Sequence, residues 1–313
     1  MAQTQDLRRR IKSVENTRQI TKTMEMVATS KLKRARQRVV AARPYAEALA
    51  EVLADLHGAE LVEQFPLLRQ PQSLRRVAVV AITSNRGLCG SFNANLIRET
   101  RDRIAELEDA GTAVELHQIG RKGIAYFRFT GRAMASARSD IGDRPTPEQA
   151  DELVTPLMER FAAGELDAVE VVFARFVSPL STPATLLPVL PIIPPPQAEG
   201  RKGGMAGGAG GEGKGGPSAL PPSRPSALNY ILRPSAKDLL SAILPLYVRN
   251  QLFRALVETA ASEQGARRTA MKSATDNAGE MIDTLRRTYN RARQAQITQE
   301  IAEIVGGAEA QAG

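Results

Sequence analysis

The stretch VRNQLFRALVETAASEQGARRTAMKSATDNAGEMIDTLRRTYNRARQAQITQEIAEIV, Val248–Val305, decides the fold. No proline follows Pro245, and no turn cluster interrupts the run. Its apolar residues return at helical spacing. Leu252, Leu256 and Ala260 come first, then Met271, Ala274, Ala278, Ile282, Leu285, Tyr289 and Ala292, and Ile297, Ile301 and Ile304 resume after one break in register. This is the stripe of an amphipathic or coiled-coil helix. Counted from Ser235, about 70 residues at 1.5 Å each would span roughly 105 Å. A compact chain of this length has a radius of gyration of only about 20 Å. The helix therefore either breaks or projects from the globular part, and a projecting helix needs a partner for its apolar stripe.

The other end of the chain offers that partner. Residues from Asp6 to Leu56 also read as one helix, with a stripe running through Leu7, Ile11, Val14, Thr21, Met24 and Val27 to Ala35, Val39, Leu49 and Leu56. The simplest arrangement pairs the two terminal helices as an antiparallel coiled coil. Small residues such as Ala35, Ala42, Ala274 and Ala278 would permit close approach. Pro44 is expected to bend the first helix or to mark its joint with a globular part. The alternative is two ordinary helices folded back on one domain.

Between them lies a region of different pattern. RRVAVVAITS is a continuous apolar run of strand length, as suits a strand buried on both faces. A glycine turn then opens into a helix, AVELHQIG reads as a second strand, and GRKGIAYFRFTG as a short helix or turn. PTPEQADELVTPLMERFAAG is a helix with Thr146 as N-cap and Gly164 at its stop. AVEVVFARFVS is a third strand, and TPATLLPVLPI an edge strand, since Pro188 and Pro191 suit an edge best. Strands alternating with helices imply an α/β fold with a mainly parallel sheet. The predicted organisation is an N-terminal coiled-coil helix over 1–57, a Rossmann-like α/β domain over 75–195, a flexible Gly/Pro-rich loop over 196–228 and a C-terminal coiled-coil helix over 235–305.

The 313 residues carry a net charge of +8. Residues 1–40 hold eleven Lys or Arg against Asp6, Glu15 and Glu25, a local excess that equals that of the whole chain. The first helix is therefore expected to meet an acidic partner, whether protein, nucleic acid or anionic lipid, unless its basic face is merely solvated. Cys89 is the single cysteine, which excludes an internal disulfide and a cysteine-based zinc site. With His57 and His117 as the only histidines, the sequence also argues against paired-His chemistry. No apolar h-region follows the N-terminal arginines, and no apolar stretch reaches the roughly 20 residues of a membrane span.

The loop Ser84–Ser91 follows a strand and opens a helix, a place where phosphates bind. Its glycines, Gly87 and Gly90, are spaced G-x-x-G, and the Walker Lys-Ser/Thr is missing. The second strand ends in His117-Gln118-Ile119-Gly120 without the acid that would hold a ribose. A structural tight turn is the better reading. Cys89 has no base supplied by any neighbouring motif. No catalytic, cofactor-binding or metal-binding residue is expected.

Several stretches together are more specific. RRRIKSVENTRQITKTMEMVATSKLKRA near the start, ITSNRGLCGSFNANL after the first strand, GRKG and FVSPLSTPATLLPVLP in the middle, and the run from ASEQGARRTAMK to EIVGGA at the end resemble, in that order, the signatures of the F-type ATP synthase gamma-subunit family. The resemblance covers nearly the whole chain. It implies a non-catalytic central shaft: two terminal helices as a coiled coil inside a ring of three alpha and three beta subunits, with a Rossmann-like domain touching the epsilon subunit and the membrane c-ring. Turning of the c-ring would drive the beta sites through their states, for ATP synthesis or hydrolysis. The implied location is peripheral, on the cytoplasmic face of a bacterial inner membrane, with membrane association only through the complex and no nucleic acid or cofactor.

The resemblance also implies roles for single residues. Met24 matches a methionine near an acidic loop of the beta subunit. Arg267, Gln294, Thr298 and Glu300 match polar positions of the last helix used in coupling or in contact with a beta loop. Tyr230 and Arg233 fall at the c-ring foot, where Arg233 departs from the family's frequent acidic residue. The Gly/Pro-rich loop is longer than in many bacterial relatives and is expected to be dispensable. Two rival classes are a nucleotide-using α/β enzyme, which lacks phosphate-loop residues, and a nucleic-acid-binding coiled coil, which would use the basic helix but has few aromatics for stacking.

Overall fold

A computed structural model describes residues 2–56, 65–192 and 236–312. The expected loop over 196–228 and foot residues Tyr230 and Arg233 lie outside the described residues. Two long helices frame the chain: α1, Ala2–Leu56, and α5, Ala236–Ala312. The 77 residues of α5 make a rod of about 115 Å. α1 continues through Pro44, which stays inside the helix instead of ending it. α5 also runs on through Gly306 and Gly307, past residue 305 where the sequence placed its end. Two glycines cost a helix about 2 kcal/mol together, and the alanines that follow favour its continuation.

Between the long helices come a short 3-10 turn, Pro66–Leu68, then β1 (Arg76–Ile82), α2 (Phe92–Asp109), β2 (Ala113–Ile119), α3 (Arg121–Phe129), β3 (Ser136–Arg138), α4 (Pro147–Ala162), β4 (Ala168–Ala174) and β5 (Ala184–Leu190). The sheet order is β3-β2-β1-β4-β5. The first four strands are parallel, and β5 closes the edge antiparallel to β4. Pro188 sits on that edge, where its missing N–H costs no ladder bond in a central strand. The three-residue β3 was not anticipated, because Ser136-Ala137-Arg138 carries no apolar run. Thr146 caps α4 in a reciprocal box with Gln149, and Gly164 after the helix has φ +80°.

The apolar run of β1 is buried on both faces. Ala78, Val80 and Ile82 meet α4 and the first turns of α5, while Val77 and Val79 meet Phe92, Leu96 and Leu107 of α2. Leu240, Leu244, Val248 and Leu252 carry α5 along the sheet before it joins α1. The two long helices are antiparallel: Thr4 meets Gln296, Glu15 meets Arg286 at 2.7 Å, and Thr21 meets Thr275 at 2.8 Å. From α1, Thr21, Ala28, Leu32, Ala35 and Val39 are buried. The stripe read from sequence is corrected here. Val27 is 51% exposed, and its small neighbour Ala28 faces α5 in its place. On α5 the seam is Met271, Thr275, Ala278 and Ile282, with Ala274 only half-buried. Ile297, Ile301, Ile304 and Val305, near the tip, are exposed.

Candidate functional site

The β1–α2 loop is held by hydrogen bonds among its own side chains. Asn93 Oδ1 accepts from the Ser84 backbone N–H at 3.0 Å, and Asn93 Nδ2 donates to Cys89 Sγ at 3.1 Å. Leu88 and Gly90 both have positive φ, which folds the loop back on its own polar atoms. Burial pushes the Cys89 thiol up, and Arg267 only partly opposes this. A thiol shifted in that direction is a poor nucleophile at neutral pH. His117 bonds Ser136 Oγ at 2.8 Å, and burial lowers its pKa against the opposing charge of Glu115. Cys89 is placed in the core beside β1, and His117 is half-buried on β2.

The partner-facing features lie along the long helices. The exposed residues of α1 include Arg8, Arg9, Arg10, Lys12, Arg18 and Lys33. Where α1 passes the carboxyl ends of the strands, a crevice of about 570 Å³ opens between them. Lys31, Arg34, Arg38, Arg86, Arg121 and Arg144 line it. Of the nearby acids, Asp143 pairs with Lys31 at 2.5 Å, Asp140 with Arg138 and Glu263 with Arg267. The crevice therefore presents a surplus of positive charge.

Met24 and Arg267 come together beside it, in a hollow of about 250 Å³ lined also by Ala28, Arg86 and Leu88. Met24 is half-buried. Arg267 is 8% exposed, with Nη2 donating to Glu263 Oε1 at 2.6 Å and to Gly87 O at 3.2 Å. Desolvation raises the Glu263 pKa, while Arg267 opposes that shift. Gln294, Thr298 and Glu300 sit apart from this hollow, exposed near the tip of α5. Thr298 Oγ1 donates to Gln294 O at 3.0 Å, a helical back-bond, and Glu300 Oε1 accepts from Gln296 Nε2 at 2.8 Å.

Sequence reasoning missed a buried polar belt on α5: Glu258, Thr259, Ser262, Glu263 and Gln264, each under 9% exposed. The available signal was ETAASEQ, in which polar residues occupy every face of a helix that should have one apolar stripe.

A family model described as ATP synthase matches residues 3–311. The ATP synthase gamma chain of Gemmatimonas aurantiaca is 55% identical over 320 residues, covering all of both chains. This chain belongs to the ATP synthase gamma-chain family. The gamma chain of Leptospira biflexa is 41% identical with 99% of each chain covered. Among solved structures, a chain of the Euglena gracilis mitochondrial ATP synthase, from an OSCP/F1/c-ring assembly, superposes with a TM-score of 0.62 at 21% identity, covering 99% of this chain and 95% of that one. A chain of the rotor of the same organism's enzyme gives 0.60 at 20% identity, covering 95% and 99%. The shared fold is the pair of long helices with the sheet at one end. Among the described residues, no helix of this gamma-family chain is long and apolar enough to cross a membrane.

Proposed function

We propose that the chain is the central shaft of a bacterial F-type ATP synthase and carries no catalytic site of its own. The observation that carries this reading is the α1–α5 pair. It projects from the sheet as an antiparallel rod, and α5 continues past the start of α1 with Ile297, Ile301, Ile304 and Val305 uncovered. An uncovered apolar tip on a stiff rod suits rotation within an apolar sleeve, where few directional bonds resist turning. The rod would stand inside the ring of alpha and beta subunits. The sheet domain would sit at the base against the epsilon subunit and the c-ring, at the cytoplasmic face of the inner membrane. Proton flow through the c-ring would turn the shaft, and its unlike faces would bias each beta site in turn.

The basic face of α1 would meet acidic beta-subunit surface. Met24, with Arg267 behind it, would contact one beta loop near the crevice, and Gln294, Thr298 and Glu300 would contact beta near the tip. Tyr230 and Arg233 would belong to the c-ring foot, and the loop over 196–228 would be dispensable. The four-part organisation over 1–57, 75–195, 196–228 and 235–305 goes with this reading.

Reconstitution tests it. The purified chain is mixed with alpha and beta subunits of the same organism, and MgATP hydrolysis and complex size are followed with and without it. The expected result is an inert chain that forms an α3β3γ complex with sustained turnover, and a lower turnover or torque when the chain is cut after Asn290. A chain that does not associate, or that hydrolyses ATP unaided, would overturn the reading.

A further inference from the structure

We propose that the buried polar belt of α5 is the torque-bearing joint of the rotor. In it, Glu258, Thr259 and Ser262 lock the sheet to the shaft through the backbone at the C-terminal end of β4. The inference rests on the rotor reading and assigns its load path.

From Ala255 to Gly265, α5 is buried on every side. A coiled-coil seam or a core-facing stripe needs apolar residues there, yet three polar side chains meet one short piece of backbone. Thr259 Oγ1 accepts from the Ala174 N–H at 3.3 Å, Ser262 Oγ donates to Ala174 O at 3.1 Å, and Glu258 Oε2 accepts from the Phe176 N–H at 3.1 Å. Arg254 Nε holds the other oxygen of Glu258 at 2.8 Å.

The geometry of β4 explains why those backbone groups are available. β1 pairs with β4 only as far as Val172, so Ala174 and Phe176 lie beyond the last β1 partner. The intervening Arg175 N–H faces the other way, to Pro183 O at 3.0 Å. Side chains of α5 thus stand where a neighbouring strand has ended. Positions 258, 259 and 262 share one helix face. Gly265, one turn on, lets the helix approach the β4–β5 turn, where an added Cβ would lie 3.3 Å from Pro179 O.

Apolar contacts are non-directional and let a helix roll on its neighbour. Hydrogen bonds weaken steeply as their angle opens. Rolling α5 about its axis would strain all three bonds together and leave buried groups unpaired, which makes the belt stiff against twist. A shaft driven at the sheet end and loaded along the coiled coil needs that stiffness at this joint.

The test uses the α3β3γ complex with the ring fixed and a bead on the sheet domain. Attachment is through A110C, an exposed site at the end of α2. Cys89 is 2% exposed and does not compete for the label. Angular fluctuation of the paused bead is compared for the parent, T259V/S262A, T259S and T275V. Thr275 is similarly buried but links α5 to α1, not to the sheet. We expect T259V/S262A to raise the angular variance about twofold or more, T259S to match the parent, and T275V to leave the variance unchanged. In the complete enzyme in vesicles, T259V/S262A should lose proton pumping per ATP hydrolysed when pumping against an opposing gradient, with unopposed hydrolysis retained. Parent-like variance in T259V/S262A overturns the joint, as does an equal rise in T275V. If the double variant does not assemble, S262A alone is read in the same way, and parent-like variance again overturns it. A parent complex that does not rotate at all defeats the rotor reading instead.

Discussion

Gly120 ends β2 and caps α3 with φ +95°, a region that L side chains avoid. A Cβ there would drive into the Thr83 carbonyl, and one at Gly123 into the buried amide of Gln118. Gly111 also has positive φ, +78°, but opens onto free space. Urea unfolding separates clash from conformation. Gly111→Ala should cost about 1 kcal/mol, the left-handed penalty alone, whereas Gly120→Ala should cost about 3 kcal/mol or more because strain and overpacking add. Equal losses at the two positions would show that the Thr83 contact is relieved cheaply. At the other end of β2, Arg160 donates to both oxygens of Glu115, at 2.7 and 2.9 Å. These bonds hold the Glu115 carboxyl below its ordinary value of 4.5. A depressed carboxyl stabilises the fold fully above that ordinary value, and the contribution disappears as pH falls through the lower, folded-state value. Arg160→Gln should therefore cost about 0.5–1 kcal/mol at pH 7, with the difference from the parent shrinking below pH 4.5. A difference constant down to pH 3 would exclude the ion pair as its source.

At the scale of elements, the seam register is the sharpest point of difference between reading and structure. Val27 and Ala28 are adjacent, so a stripe of helical period can pass through either. The structure selects Ala28, which lets α1 come close to α5 beside buried Ala35. Ala28→Leu or Ala35→Leu should overpack that seam and cost about 1–3 kcal/mol, while Val27→Leu should be near neutral; thermal unfolding of the three variants checks it. A destabilised Val27→Leu with a neutral Ala28→Leu would restore the register read from sequence. The same comparison shows what was legible. The strands β1 and β4 were readable because their apolar runs are buried on both faces, and α4 because its cap and stop are chemical signals. β3 was not, since three residues with no apolar run gain their strand state only from β2 alongside. The end of α5 was missed because glycines signal a stop only when nothing after them favours helix. The polar belt at 258–264 was invisible for another reason. Its side chains are satisfied by the backbone of Ala174 and Phe176 at and just past the end of β4 and by Asp143, all from distant parts of the chain, and no local pattern encodes those partners. Of the candidate contacts, Met24 and Arg267 are neighbours only because the coiled coil is antiparallel, which spacing suggested but could not align.

Over the whole molecule, charge is segregated along the shaft. The net +8 of the chain is matched by residues 1–40 alone, and much of that excess is on exposed side chains of α1. Oppositely charged surfaces attract over about 8 Å at physiological ionic strength and more weakly as salt rises. An acidic ring interior should therefore capture the shaft quickly in dilute salt and more slowly in concentrated salt. Stopped-flow assembly with the alpha and beta subunits measures this directly. Raising salt from 50 to 500 mM should slow association about tenfold or more, with dissociation little changed, because the exposed tip carries apolar Ile297, Ile301, Ile304 and Val305. Replacing Arg8, Arg9 and Arg10 by Gln should flatten that salt dependence without altering the thermal stability of the free chain, since none of the three is buried. Association independent of salt would mean that the basic face meets solvent in the complex. Retention of the full salt dependence after the triple replacement would shift the charged contact towards the crevice formed by Lys31, Arg34 and Arg86.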